Sequence, residues 1–348
     1  MFHDLTISDV RAEGDGAVAV SFAVPETLSQ VFSFDPGQYL TLRADVNGQD
    51  LRRSYSIASA PGDALTVGIK HVEGGAFSSF AQGLKAGDRL RVMPPEGRFT
   101  LRDEARLVLI AAGSGITPMV SIAEAALARG AEVALIYGNR TTDSIMFKDR
   151  LEALKDRYTD RFTLIHVLSR EPQDVDLLNG RIDGARVLAL GRAGAVDLAG
   201  AHGVFLCGPG AMIDDVAAAL DGTVTPDRVH FERFYTEEDG PRPERSAKAE
   251  AAAEAGVAVE VVLDGARRMF RVESEDDNVV DAAARAGLEL PYSCKGGMCC
   301  TCRCKVVEGQ AEMAVNYSLE PWETEAGFTL ACQARPLSEK LVLDFDAA

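Results

Sequence analysis

Six of the chain's seven cysteines fall after residue 290: Cys294, Cys299, Cys300, Cys302, Cys304 and Cys332. An odd, tightly clustered set reads as a metal site rather than a disulfide framework. Cys294, Cys299 and Cys302 are spaced C-x4-C-x2-C, and Cys332 follows thirty residues later. That is the spacing of a plant-type [2Fe–2S] centre, so these four are the expected ligands. Gly296 and Gly297 let the backbone wrap closely and turn amides toward the sulfurs. A structural zinc site and inert buried thiols are the other readings. Zinc usually asks for paired C-x2-C hooks, and only one clean hook stands here. Cys300 and Cys304 are surplus and are expected to pack beneath the loop.

Gly113-Ser114-Gly115-Ile116-Thr117-Pro118 sits between a continuous apolar run and a stretch of helical spacing. In that context a glycine turn cradles phosphate with amides at a helix N-terminus, which makes Gly113, Gly115 and Thr117 candidate contacts. The third glycine of the dinucleotide fingerprint is missing, so a ligand-free tight turn stays open. The next apolar run ends at Tyr137-Gly138-Asn139-Arg140. No carboxylate stands there for a ribose 2′-hydroxyl, whereas Arg140 suits a 2′-phosphate, which predicts NADPH over NADH. A solvated surface arginine is the alternative. Cys207-Gly208-Pro209-Gly210 closes a later strand at the crevice where such sheets bind ligands. Arg53-Ser54-Tyr55-Ser56 offers a phosphate partner, a stacking ring and a hydroxyl for a ring nitrogen, although alone it is an ordinary strand. Gly74-Gly75-Ala76-Phe77-Ser78 is a second candidate anion turn, with Gly75 and Ser78 as contacts. The five histidines are isolated and are expected in surface or core roles.

Three kinds of texture must position these groups. The first hundred residues alternate apolar and polar in short runs broken by turns such as Asp35-Pro36-Gly37, which predicts a small antiparallel barrel. From about 105, apolar runs alternate with helical stretches (about Pro118–Arg129, Ser144–Tyr158 and Gly210–Leu220), which predicts a doubly wound parallel sheet. Residues 236–255 are polar, proline-bearing and then alanine-rich, and read as a linker, semi-extended and then partly helical. A hairpin follows, with a tight Asp264-Gly265 turn, then a helix over Asn278–Ala286 and the cysteine cluster. The expected domains are therefore 1–102, 103–235 and 256–348, joined by that linker.

The 348 residues are 47% hydrophobic and 26% charged, globular proportions for two or three domains. A net charge of −17 argues against nucleic acid as a partner. No run of about 18 uncharged apolar residues predicts a membrane span. The start, Met1-Phe2-His3-Asp4-Leu5, has no basic or apolar leader, so a cytoplasmic location is expected.

As a set, the motifs resemble the ferredoxin–NADP⁺ reductase superfamily. The order is Arg-x-Tyr-Ser, Gly-Gly-x-x-Ser, Pro95-Glu96-Gly97-Arg98-Phe99, Gly-Ser-Gly-Ile-Thr-Pro and Cys-Gly-Pro, with an appended domain similar to the plant-type ferredoxins of oxygenase reductases. Within the superfamily, the runs 137–147 and 313–323 and the pair Cys332-Gln333 resemble the family of reductase subunits of phenylacetyl-CoA 1,2-epoxidase complexes. The resemblance implies an FAD-binding barrel, an NADP-binding α/β domain and an α+β β-grasp ferredoxin domain. It implies hydride transfer from NADPH to FAD, single electrons to the cluster, and a partner oxygenase, the epoxidase's diiron component. Tyr55 would stack on the flavin, Ser56 would contact its ring near N5, and Arg53 and Ser78 would hold its phosphates. Cys207, Gly208 and Pro209 would lie near the nicotinamide, and Glu232 or Phe234 would close the flavin site. Reductases of ring-hydroxylating dioxygenases or other diiron monooxygenases are rivals. A redox-sensing binding protein is another, against which the flavin and nucleotide motifs argue, since a sensor needs no NADPH turnover.

Overall fold

The computed structural model describes residues 2–234 and 243–347. The chain divides into two compact units, Met1–Thr236 and Glu237–Ala348.

The first unit opens with β1 (His3–Ala12), β2 (Ala17–Ala23), β3 (Tyr39–Val46), β4 (Gln49–Ser56), β5 (Leu65–Lys70), the short helix α1 (Ala76–Ala81) and β6 (Arg89–Val92). These strands form one antiparallel sheet in the order β4-β3-β6-β1-β2-β5. Period-two patterning sets its faces: Leu5 and Ile7 are buried while Asp4 and Thr6 are exposed. A bridge between Ile57 and Val67 brings the two edges together, so the sheet curls into the expected barrel-like form.

The unit continues with β7 (Arg106–Ala112), α2 (Ile116–Ala128), β8 (Glu132–Asn139), α3 (Lys148–Arg157), β9 (Phe162–Leu168), α4 (Gly184–Arg192), β10 (Gly203–Gly208), α5 (Gly210–Leu220) and β11 (Val229–Arg233). The sheet is parallel, in the order β11-β10-β7-β8-β9. Helices α2 and α3 pack on one face and α4 and α5 on the other. This is the doubly wound arrangement, and the strand order reverses between β7 and β10. Helix α3 starts later than its spacing predicts. Phe147 adopts φ 56°, and its amide donates to Glu13 Oε2 at 3.0 Å, so the helix opens only at Lys148. Helix α4 went unpredicted.

The second unit holds α6 (Ala247–Ala255), β12 (Val257–Leu263), β13 (Ala266–Val272), α7 (Val279–Arg285), β14 (Arg303–Glu308), β15 (Ala311–Met313), α8 (Pro321–Glu325), β16 (Phe328–Leu330), β17 (Ala334–Pro336) and β18 (Lys340–Asp344). Its mixed sheet runs β13-β12-β18-β14-β16, with β15 and β17 paired apart from it. That is the β-grasp expected. Asp264 at φ 52° and Gly265 at φ 71° make the tight hairpin turn. Asn278 caps α7 by accepting the amides of Val280 and Asp281.

Much of the expected linker is folded. Helix α6 buries Ala249 and Ala253, and Arg335 donates to the carbonyls of Pro243 and Glu244. The linker positions 236–242, with Tyr235 before them, lie outside the described residues. No helix among the described residues is long and apolar enough to cross a membrane.

Candidate functional site

The first site lies where β4 meets the ends of β10 and β11. Ser56 Oγ donates to Glu232 Oε2 at 3.2 Å. Glu232 is in turn the register partner of Cys207 across β10 and β11. Cys207 is fully buried. That burial, and then the Glu232 charge, pushes its thiol well above the ordinary value, so it stays a neutral SH rather than a nucleophile. Tyr55 is half-buried and packs against the Phe77 ring at 5.7 Å, and burial likewise raises its phenol. Arg53 is exposed and donates to the Arg52 carbonyl at 2.7 Å. The Ser78 hydroxyl faces inward. It accepts from the Val72 amide at 3.1 Å and donates to the Gly75 carbonyl at 3.0 Å, so it builds its own turn. A Cβ at Gly75 would lie 2.6 Å from that oxygen.

The glycine turn follows β7 directly. Gly113 adopts φ 54°, and a Cβ at Gly115 would lie 2.1 Å from the Cys207 carbonyl oxygen. That approach brings the ends of β7 and β10 together at the switch point, and it requires glycine. No side chain caps α2; the Ile116 amide donates back to the Gly113 carbonyl and Pro118 carries no N–H, so the turn at Gly113–Gly115, rather than the helix's own first turn, is the candidate anion contact. Thr117 is buried and its hydroxyl donates to the Ser114 carbonyl at 2.9 Å, holding the turn from within. Tyr137 braces the turn from below. Its hydroxyl donates to the Gly113 carbonyl at 3.0 Å and accepts from the Met146 amide at 3.3 Å. Gly208 adopts φ 156°, and Pro209 is the residue before α5, which also lacks a side-chain cap.

Two cations here escaped the sequence reading. Lys70 Nζ lies 3.6 Å from where a Cβ on Gly113 would be. Burial, and then the Arg140 charge, lowers its pKa. The Arg170 amide donates to the Arg140 carbonyl at 2.8 Å, which sets the two exposed arginines at adjacent strand ends. Their signal in the sequence was position: Lys70 ends a barrel strand before the Gly-Gly turn, and Arg170 follows β9 much as Arg140 follows β8.

The second site belongs to the other unit. Among the described residues, no three His, Cys, Asp or Glu side chains converge as a single ion would need. The four expected thiols nonetheless lie within one another's reach, Cys299 acting on Cys294, Cys302 and Cys332 alike. Cys299 donates to Cys294 and lowers it to about 7, while Cys299 itself is raised. Cys302 donates to Cys332, with the same split: Cys332 lowered, Cys302 raised. Four cysteines at C-x4-C-x2-C spacing with a distant fourth suit a [2Fe–2S] centre, whereas zinc usually asks for paired C-x2-C hooks. Donors face the sulfurs as well: the Gly296 amide reaches Cys294 Sγ at 3.3 Å, and Gln333 Nε2 reaches Cys332 Sγ at 3.3 Å. Both the donor set and its surroundings fit a [2Fe–2S] cluster. Cys304 is fully buried in the sheet core, and Cys300, at φ 58°, is half-buried against the same core.

Comparison with known proteins agrees with this geometry. Residues 5–101 match the oxidoreductase FAD-binding domain, 109–218 the oxidoreductase NAD-binding domain, and 261–337 the 2Fe-2S iron-sulfur cluster binding domain. The chain is 45% identical to a subunit of 1,2-phenylacetyl-CoA epoxidase from Escherichia coli, over 99% of this chain and 98% of that protein. It is 36% identical to the ferredoxin reductase component of 3-ketosteroid-9-alpha-monooxygenase from Rhodococcus rhodochrous, over 98% of this chain and 96% of that one. The fold matches a phthalate dioxygenase reductase with a TM-score of 0.60 at 22% identity, covering 99% and 98% of the two chains.

Proposed function

This chain belongs to the family of oxygenase reductases with FAD-binding, NAD-binding and [2Fe–2S] domains, electron-transfer flavoprotein oxidoreductases, and from that premise we propose that it draws on NADPH to supply the diiron oxygenase of a phenylacetyl-CoA epoxidase. A set of four cysteines at plant-type spacing, with N–H donors on the sulfurs of Cys294 and Cys332, carries the reading. It is the feature a one-electron outlet needs and a dehydrogenase does not.

Bound flavin turns a two-electron hydride into single electrons, and a bound [2Fe–2S] cluster carries them one at a time. The chain's own residues hold and orient. Tyr55 offers its ring face to the isoalloxazine, and neutral Tyr55 keeps that contact free of charge. Ser56 presents its hydroxyl to the ring near N5. The hydrogen bond to Glu232 fixes where the Ser56 proton points. Pro209, with Gly208 and the neutral Cys207 buried behind it, stands on the nicotinamide's side of the crevice. Phe234, half-buried against the same core, closes the flavin site. Arg53 serves the flavin phosphates by charge, and Gly75 and Ser78 shape the turn beside them.

For the nucleotide, the turn at Gly113–Gly115 receives the pyrophosphate, and Thr117 keeps the turn in shape. Lys70 adds a positive charge beside Gly113. Arg140 and Arg170 together receive the 2′-phosphate. Cys294, Cys299, Cys302 and Cys332 ligate the cluster.

Anaerobic addition of NADPH to the purified protein tests the electron path. Flavin absorbance should bleach, and the EPR signal of a reduced [2Fe–2S] centre should appear. The partner is tested by epoxidation of phenylacetyl-CoA with this chain as sole reductase. Turnover of a ring-hydroxylating or ketosteroid oxygenase at equal or higher rate would reassign the partner.

A further inference from the structure

Gln333 follows Cys332 directly and is 1% exposed. Its Nε2 donates twice, to Cys332 Sγ at 3.3 Å and to the Lys295 carbonyl at 2.8 Å. A carbonyl and a ligating thiolate are both acceptors only, so the amide has one orientation, with nitrogen toward both. That orientation leaves Oε1 buried without a partner. An apolar side chain of the same length would avoid that cost, so the amide is a costly choice unless its N–H groups do something.

Gln333 also touches three segments near the thiols. Its backbone amide donates to the Leu330 carbonyl at 2.8 Å, and its carbonyl accepts from Ala314 at 3.0 Å. Its Cγ lies 3.3 Å from where a Cβ on Gly297 would be. The Lys295 carbonyl it holds lies between Cys294 and the glycine pair of the loop. One side chain therefore links the fourth ligand to the loop that carries the first three.

We propose that Gln333 is a positioning residue that raises the reduction potential of the cluster through its N–H···S contact with Cys332. This rests on the cluster reading of the four thiols. When the centre takes one electron from the flavin, its ligand sulfurs become more negative. An N–H dipole aimed at one of them stabilises the reduced form more than the oxidised form, so the potential rises. The second N–H, on Lys295, keeps that dipole from turning away.

The experiment measures the midpoint potential by EPR at poised potentials, on full-length holoprotein with flavin and cluster content checked by absorbance. Gln333→Met keeps length and removes both donors. Gln333→Glu keeps shape and adds negative charge. Gln333→Met should lower the equilibrium constant for one-electron uptake by about threefold to tenfold, and Gln333→Glu by more than tenfold. A tenfold change is about 59 mV for a one-electron couple. An unchanged or raised potential in Gln333→Met overturns the proposal. If Gln333→Glu alone fails to load, Gln333→Met decides. If neither variant holds its cluster, Gln333 is a structural requirement and the tuning role is overturned. Wild-type protein lacking a [2Fe–2S] spectrum would instead sink the cluster reading, an outcome distinct from a normal cluster with an unmoved potential.

Discussion

The Ser56 hydroxyl donates to the Glu232 carboxylate at 3.2 Å, although 176 residues separate them. The contact joins the last residue of a barrel strand to the last strand of the parallel sheet. Glu232 is in turn the register partner of the buried Cys207. Ser56→Ala should slow flavin reduction by NADPH about a hundredfold, the lower range for loss of a proton-handling group. Glu232→Gln keeps an acceptor and should cost less, about tenfold. Stopped-flow absorbance reads both, and flavin content should stay at the wild-type level. Unchanged rates in both variants would remove the pair from the hydride step.

Cluster ligation separates the cysteines into two groups. Cys332→Ser should lose most of the visible absorbance of the oxidised cluster, and Cys299→Ser likewise. Cys304→Ser should keep it, because Cys304 is fully buried in the sheet core. Cys300→Ser should keep it too, because Cys300 falls outside the C-x4-C-x2-C spacing. If Cys300→Ser abolishes the cluster and Cys299→Ser does not, the ligand register is off by one.

Nucleotide preference should depend on two arginines rather than one. A charge-assisted contact to a 2′-phosphate contributes about 1.5–3 kcal/mol, which is about ten- to a hundredfold in affinity. Arg140→Ala and Arg170→Ala should each erode the NADPH preference, read as the ratio of kcat/KM for NADPH and NADH. Lys70→Ala, beside Gly113, should weaken both nucleotides together and leave the ratio alone. Equal kcat/KM for NADPH and NADH in wild type would overturn the assignment.

Gly115 tests the close approach of the two strands. An added Cβ would sit 2.1 Å from the Cys207 carbonyl, so backbone must move. Gly115→Ala should destabilise the first unit by about 1–3 kcal/mol. It should raise KM for the nucleotide more than it lowers flavin content. Thermal unfolding and steady-state kinetics check the two effects separately.

Glu13 gives a pH dependence. It reaches from the β1–β2 turn to accept the Phe147 amide, and burial raises its pKa above the ordinary 4.5. A raised carboxylate favours the folded state most when protonated. Its contribution is thus fully present below pH 4.5 and is lost as pH rises through the folded-state value. Glu13→Gln keeps an acceptor for Phe147 but cannot ionise. The Tm of wild type minus that of Glu13→Gln should therefore be largest at acid pH and shrink as pH rises. A difference that grows with pH would contradict the burial argument.

Local motifs were legible because their geometry is nearly contained in one stretch of chain. Three of the four thiols stand in one nine-residue loop, and the turn at Gly113–Gly115 is set by a strand, two glycines and a helix in succession. Alternation of polarity and the switch to helical spacing were enough for a curled antiparallel sheet and a doubly wound sheet, because each depends on which face of a strand or helix meets water, whereas the β-grasp came only with the family resemblance. Residues 247–255 show where this weakens: alanine-rich spacing with little polarity contrast read as linker, and only packing of Ala249 and Ala253 makes it part of the second unit.

What the tertiary structure alone decided is where hydroxyls, amides and charges point once distant strands meet. Ser78 and Thr117 looked like phosphate contacts, but each hydroxyl is consumed by a carbonyl of its own turn, since a buried O–H needs a partner nearby. Glu232 became a partner of Ser56 only through the parallel pairing of β10 and β11 beside the barrel. Lys70 joined the nucleotide turn because β5 ends beside it, and Arg170 joined Arg140 because β9 pairs with β8. Gln333 gained a role because its amide lies between Cys332 and Lys295, 38 residues away. Spacing along the chain says which donors can share a loop. Which ones share a site depends on the pairing of elements far apart in sequence, and packing alone sets that.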